Sequence, residues 1–307
     1  VKIDVLMATY NGEQTLAAVL DGYRKVMPPE QGWQLVIVDN ASTDGTRSLI
    51  KSYENDLPIT YLYEAKPGKN SALNTGIKSL QGDLVILTDD DAIPCPDLLV
   101  QYREVAESEV DVSIFSGKVM PDWRKEPPLW MVDSIPLTTA YSLNAGKHSE
   151  GSIPPTSVLG PNMAVRREIF ERGFRFDESI GPCGSSYAMG SETEFCTRLH
   201  GHGYNCHFSE RPCVSHIIRD YQVNGKWLLK RSFQNGRGAA NRDLRNAPGE
   251  FRLLAGIPKH YIKHAAIRTG TVILSLFSFD KTKIFTSLWE CSSALGRIYE
   301  ALKLRGT

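Results

Sequence analysis

The chain has 307 residues, 41% of them hydrophobic, with 35 Lys+Arg against 35 Asp+Glu and a formal net charge of zero. That length buries a substantial core in one large domain or two small ones, and the charge balance excludes a global pull toward nucleic acid. The six cysteines, at 95, 183, 196, 206, 213 and 291, form no C-x-x-C pair, so zinc is not expected and they read as free thiols of a reducing compartment.

"KIDVLMATYNG" reads as a buried strand closed by a turn at Asn11-Gly12. "EQTLAAVLDGYRKV" has helical periodicity, and "WQLVIVDNASTDGT" is a second apolar strand running into a polar turn. "DGTRSLIKSYEN" reads as a helix, "ITYLYEA" as a third strand, "KNSALNTGIKSL" as a helix after a Lys/Gly turn, and "DLVILTDDD" as a fourth strand. Strands alternating with helices predict right-handed βαβ units and a mostly parallel sheet. Ligands of such sheets bind beyond the carboxyl ends of the strands. Three strands end in polar clusters, Thr9-Tyr10-Asn11, Asp39-Asn40-Ala41-Ser42 and Asp89-Asp90-Asp91, which the topology brings to one edge. The sequon Asn40-Ala41-Ser42 falls inside such a turn and is expected to be unmodified.

Beyond about residue 112 the pattern changes. "DVSIFSGKVM" reads as a strand, Pro121 to Pro136 as a loop rich in Pro and Trp, and "SVLGPNMAVRREIF" as a strand, a turn and a short helix. "GSETEFCTRLHGHGY" is a helix with a marked start. From about His216 the chain is expected to be mostly helical, with basic residues clustered between 226 and 268. The sequence opens at Val1 inside a strand pattern, so a short leader is expected to have been trimmed or processed from it, and no window offers about 18 consecutive apolar residues for a spanning helix.

Two carboxylates about 5 Å apart repel by roughly 3 kcal/mol at an effective dielectric near 20, so something must offset the crowding of Asp89, Asp90 and Asp91. In an extended segment Asp89 and Asp91 share a face and Asp90 points away. That makes a two-toothed oxygen site suited to Mg²⁺ or Mn²⁺. Helix capping near Pro94 and plain solvation are the alternatives.

The stretches "VLMATYNGEQTLAAVL", "LVIVDNASTDGT", "KPGKNSALNTGI", "VILTDDDAIP", "GPNMAVRREIF" and "GSETEFCTRL", in that order over roughly residues 1 to 220, resemble an inverting, non-processive family 2 glycosyltransferase with the GT-A fold. The resemblance implies an α/β architecture, a mixed, mostly parallel sheet flanked by helices with a C-terminal helical extension. Residues 1–115 would be the nucleotide-sugar-binding half, 116–220 the acceptor-binding half of the same domain, and 221–307 the extension. Thr9, Tyr10 and Asn11 would line the nucleoside pocket, and Asp39 would hydrogen-bond the base, with Asn40 and Ser42 shaping the turn. Lys69 would pass near the nucleotide, with Asn74 as a buttress. Asp89 and Asp90 would lie against the nucleotide. Asp89 and Asp91 would form the D-x-D pair at a Mn²⁺ or Mg²⁺ ion, with His216 as a further ligand. Ordinary alternatives stand beside several of these: Asp39 as a turn-former, Lys69 as a solvated lysine, Asn74 as a helix-surface residue, His216 as a structural histidine.

Ser191 and Glu194 spell a capping box, S-x-x-E, which leaves Glu192 at the first helical position, kept ionised by the helix dipole. The resemblance places the catalytic base at Glu192, where Ser191-Glu192 replaces the usual Glu-Asp; Glu194 is the alternative. Asn162 would lie on the acceptor-side wall. Trp123 and Trp130 would either stack on the acceptor sugar or simply pack. The processive motif Q-x-x-R-W is incomplete, since Gln234 and Arg237 are followed by Gly238. The implied reaction moves a sugar, a UDP-sugar being the first donor to consider, onto a hydroxyl of a glycan or lipid-linked acceptor in polysaccharide biosynthesis, without nucleic acid. Lys259, His260, Lys263, His264 and Arg268 beside "TVILSLFSF" fit either a helical pair packed on the protein or a peripheral membrane contact. The expected location is cytoplasmic, with the inner face of the plasma membrane as the peripheral alternative. A nucleotidyltransferase would need a Gly- and basic-rich loop after the first strand, and "ATYNGEQT" has one Gly and no basic residue. A binding module without catalysis would not need Glu192.

Overall fold

The computed structural model describes residues 1–183, 187–246 and 251–305. They fall into two compact units. One comprises Val1–Asp122, Ser142–Ser179 and Ser191–Ile217; the other comprises Trp123–Tyr141, Ile180–Gly190 and Ile218–Thr307.

The first unit opens with β1 (Ile3–Thr9), α1 (Glu13–Tyr23), β2 (Trp33–Asp39), α2 (Thr46–Ser52), β3 (Ile59–Tyr63), α3 (Lys69–Ile77) and β4 (Leu84–Asp89), the alternation the sequence predicts. β5 (Ala92–Pro94), α4 (Leu98–Ser108) and β6 (Ile114–Trp123) follow. β6 hands the chain to the second unit through α5 (Leu129–Asp133), a short helix inside the expected Pro121–Pro136 loop, and α6 (Leu137–Tyr141) just beyond it. The chain returns as β7 (Gly151–Ile153), β8 (Met163–Arg166), α7 (Arg167–Glu171), α8 (Ser191–Gly201) and β9 (Cys206–Ile218).

Among the described residues these strands make one nine-stranded sheet, ordered β3-β2-β1-β4-β8-β6-β9-β5, with β7 also on β9. β1 is parallel to β2 and β4, and β2 to β3, whereas β8 runs antiparallel to β4 and β6. The parallel strands are continuous apolar runs because both faces are covered; α1 covers its share with Leu16, Val19, Leu20 and Tyr23, all on one helical face. Thr9 stands opposite Asp39, and Ala8 opposite Asp89, so the three polar strand ends share one edge as expected.

Beyond Ile218 the chain is mostly helical, as expected from about His216, but β9 itself was not anticipated. It is a long strand whose two ends serve different partners, Cys206–Phe208 on β7 and Val214–His216 on β5. Pro212 between them hides the strand pattern.

The second unit adds α9 (Gly225–Asn246), a small antiparallel pair β10 (Leu253–Leu254) and β11 (Ile257–Pro258), and the long helices α10 (Lys259–Leu276) and α11 (Lys281–Arg305). Its aromatic cluster stacks Trp227 on Tyr141 at 5.7 Å between ring centroids and sets Trp123 edge-on to the same ring at 5.1 Å. The incomplete Q-x-x-R-W motif has a packing reason here: a Cβ on Gly238 would run into the Met189 carbonyl oxygen, so no indole fits after Arg237.

Candidate active site

The site grows from the carboxyl edge of the parallel strands. Asn11 takes a left-handed φ of 51°, which lets its Oδ1 accept the Thr43 N–H at 2.8 Å while its own N–H donates to Ser42 Oγ at 2.9 Å. The Ser42 N–H donates to Asp39 Oδ1 at 2.9 Å, and the Tyr61 hydroxyl donates to Asp39 Oδ2 at 3.0 Å. Asp39 is only 1% exposed, so its carboxylate serves the turn, the alternative weighed against base recognition. Asn40 is likewise turned inward: its Nδ2 donates to the Glu64 and Lys66 carbonyls, and its Oδ1 accepts the Gly68 N–H. Tyr10, 61% exposed, and Tyr63, opposite Asp39 and 57% exposed, leave their rings open at this edge.

The three aspartates take three different partners. Strand geometry stops at Asp89, and Asp90 and Asp91 form a turn; the strict face alternation expected of Asp89-x-Asp91 therefore does not arise. Asp90 Oδ2 accepts the Thr9 hydroxyl at 2.6 Å. Asp91 Oδ1 lies 3.1 Å from His216 Nε2, because His216 on β9 stands opposite Ala92 on β5. Asp89 Oδ1 lies 2.6 Å from Lys69 Nζ.

Lys69 also reaches Glu192 Oε1 at 2.8 Å, 123 positions away in sequence. Burial alone would push the Lys69 pKa down; the Asp89 and Glu192 carboxylates outweigh it and raise it. Lys69, Asp89 and Glu192 line a narrow cleft with Leu73, Met163 and Phe176. Its wall is held by Asn74, which exchanges hydrogen bonds with the Phe176 backbone at 2.9 and 3.0 Å. Asn74 Nδ2 also donates to Glu178 Oε1 at 3.0 Å.

The start of α8 gives the two glutamates different partners. The expected capping box is not formed: Ser191 is already helical, and its buried Oγ finds no hydrogen-bond partner. Glu194 instead takes two bonds from Arg198, at 2.7 and 3.1 Å, and Arg198 also donates to the Arg175 carbonyl. Glu194 is thereby held in a structural clamp, while Glu192, one helical position after Ser191, faces the cleft.

A family profile described as Glycosyl transferase family 2 matches residues 4–174, more than half of the chain. The chain belongs to glycosyltransferase family 2. It is 24% identical over 251 residues to the glucosyl-dolichyl phosphate glucuronosyltransferase of Haloferax volcanii, covering 79% of this chain and 78% of that protein. It is 24% identical over 250 residues to the succinoglycan biosynthesis protein ExoM of Rhizobium meliloti, covering 76% and 73%. Among solved structures, the mannosyltransferase PcManGT of Pyrobaculum calidifontis, in complex with GDP-Man and Mn²⁺, superposes with a TM-score of 0.63 at 20% identity over 97% of this chain and 87% of that one. S. aureus TarS 1-349 with UDP-GlcNAc gives 0.56 at 13% identity, over 100% and 93%. These likenesses show the GT-A fold.

Two acceptor-side expectations for this glycosyltransferase change. Asn162 is fully buried: its Nδ2 donates to the Lys118 and Pro212 carbonyls and its Oδ1 accepts the Tyr102 hydroxyl. It ties strands together and has no face for a sugar. Trp123 and Trp130 belong to the second unit, where Trp130 packs edge-on to Phe285 at 5.7 Å; packing is the role the structure gives them. The residue-level surprise is the Asp89–Lys69–Glu192 bridge, which had no sequence signal because its members lie on three separate elements. The cleft also explains Gly160, which lies beneath Glu192: a Cβ there would collide with Glu192 Oε1. Gly160→Ala is expected to displace the Glu192 carboxylate and lower kcat by about 10²-fold, the scale of an ångström-sized misplacement, with the melting temperature little changed. Steady-state kinetics beside a thermal melt checks both.

Proposed function

We propose that the enzyme transfers a sugar with inversion from a nucleoside-diphosphate donor to a hydroxyl of a glycan or lipid-linked acceptor, with Glu192 as general base. The observation that carries this reading is the placement of Glu192 in the cleft, ion-paired to Lys69 and clear of the Arg198 clamp that occupies Glu194. The ammonium and the helix start keep Glu192 ionised, the state needed to take a proton from an acceptor hydroxyl. In one in-line displacement the acceptor oxygen bonds to the anomeric carbon, its proton passes to Glu192, and the sugar–phosphate bond breaks with its electron pair leaving on the diphosphate. No covalent sugar–enzyme intermediate forms.

A divalent cation fits part of the expected ligand set. Among the described residues no three His, Cys, Asp or Glu side chains converge as a metal cluster, but Asp91 and His216 offer one oxygen and one nitrogen donor side by side. That pair suits Mn²⁺ or Mg²⁺ with its other positions left for water and phosphate oxygens. Asp91 and His216 would hold the ion, which when bound supplies positive charge against the departing diphosphate. Tyr10 and Asn11 would line the nucleoside, with Thr9 holding Asp90 in place. A UDP-sugar is the first donor to test, and a guanosine donor the second, since the similar structures are complexes with UDP-GlcNAc and GDP-Man. No described helix is long and apolar enough to cross a membrane; a lipid-linked acceptor would be met through the C-terminal helices.

Titration calorimetry of UDP and of GDP, with and without Mn²⁺, tests the donor side. One nucleotide is expected to bind wild type tightly only with the metal, and Asp91→Asn is expected to lose that metal-dependent gain. No heat from any nucleoside diphosphate in any condition would refute the reading.

A further inference from the structure

The turn between α10 and α11 leaves a contiguous apolar tip bare. Ile273 is 55% exposed, Leu274 72%, Leu276 53%, Phe277 75% and Phe279 90%. Ile267, seven residues before Leu274 on the same helical face, is 53% exposed and extends the patch. Soluble monomers scatter such side chains singly rather than gathering them.

The hydroxyls of this segment are bonded within it. No charged residue occurs between Arg268 and Asp280. Every hydroxyl in between donates to a carbonyl of its own helical segment: Thr269 to Ala265, Thr271 to Ile267, Ser275 to Val272, and Ser278 to Ser275, at 2.6 to 3.0 Å. A segment entering an apolar medium needs this internal satisfaction. Cations rim the patch. Lys259 and Lys263 are exposed on the approach, and Lys281 and Lys283 just past the tip. Of the acids nearby, Asp280 accepts the N–H groups that open α11 and lies 3.8 Å from Lys283 Nζ, an exposed pair that lipid phosphates can displace, and Glu290 pairs with Arg268.

We propose that this tip seats the protein on an anionic lipid surface, with Ile273, Leu274, Leu276, Phe277 and Phe279 in the interfacial layer and the lysines on lipid phosphates. The inference deepens the peripheral-contact reading and is independent of the transfer chemistry. The cationic rim distinguishes a bilayer from a second copy of the chain, because self-docking would bring like charges together. The apolar run lies in the interface rather than crossing it.

The test is co-sedimentation of the full chain with vesicles of phosphatidylcholine alone or mixed with phosphatidylglycerol, with UDP and GDP calorimetry run on the same samples. Wild type is expected to partition onto the anionic vesicles and to come off in high salt. Phe277→Ser/Phe279→Ser is expected to weaken partitioning about tenfold or more, and Lys281→Glu/Lys283→Glu by at least about fivefold per lysine. Circular-dichroism melts matching wild type exclude misfolding as the cause. Absence of wild-type partitioning, or unchanged partitioning of both variants, overturns the proposal. So does a wild-type dimer in analytical ultracentrifugation that the phenylalanine variant dissociates. Vesicle binding without nucleotide binding leaves this inference standing and the donor reading refuted; the reverse result does the opposite.

Discussion

Glu192→Gln is expected to lower kcat by about 10²–10⁴-fold, the usual worth of a positioned general base, with nucleotide affinity close to wild type. The amide keeps the size of the side chain above Gly160 but cannot take the acceptor proton. Glu194→Gln is the matched control. Glu194 is held by Arg198 and is not aimed at the cleft, so its loss should cost stability rather than turnover. If Glu194→Gln instead carries the large kinetic loss, the assignment of the base is reversed. The pH profile gives a second readout. Turnover should fall on the acid side as Glu192 takes up a proton. Lys69 should contribute no limb at neutral or mildly alkaline pH. Its folded-state pKa is raised, so its contribution to stability is complete below the ordinary lysine value of about 10.4 and is lost only as pH climbs past that through the raised one.

The nucleotide-side half of the sheet was legible because its signals are local. Continuous apolar runs, helical spacing and polar strand ends lie within short windows, and β1 to β4 follow them closely. The fold class and the common edge followed from connectivity rules alone. What could not be read are contacts between elements far apart in the chain. The sequence "SETE" satisfies the capping-box pattern, yet Arg198, one turn further on, competes for Glu194 and wins with two charge-assisted bonds. Asn162 sits in a motif of the family, which made it look functional; its three hydrogen bonds show a structural staple. The D-x-D alternation assumed a strand that continues past Asp89, whereas Asp90 and Asp91 turn toward Thr9 and His216. β9 was missed because Pro212 and the charged Glu210 and Arg211 interrupt its pattern. His216, singled out on a segment expected to be helical, owes its place beside Asp91 to that strand.

Arg237→Met is expected to destabilise the second unit by about 3–5 kcal/mol, the range for leaving one partner of a buried ion pair alone. Arg237 is 1% exposed and donates through Nε to Glu300 Oε2 at 2.7 Å. A second guanidinium nitrogen reaches Gln234 Oε1 at 3.1 Å, and Asn241 donates to the other Glu300 oxygen at 3.4 Å. The guanidinium also lies over the Tyr299 ring, 5.0 Å from its centroid. Gln234 and Arg237, the two residues left of the incomplete processive motif, are thus spent joining α9 to α11. The cost arises because Met removes the cation and strands the Glu300 carboxylate in a site without water. Replacing both charges, as Arg237→Met/Glu300→Met, should recover most of the loss, since no unpaired charge then remains. Urea denaturation, with hydrogen exchange of α9 and α11 to localise the effect, measures the cycle. A single-variant cost below about 1 kcal/mol would mean that the pair behaves as an exposed one, and the network would then not be what holds these helices together.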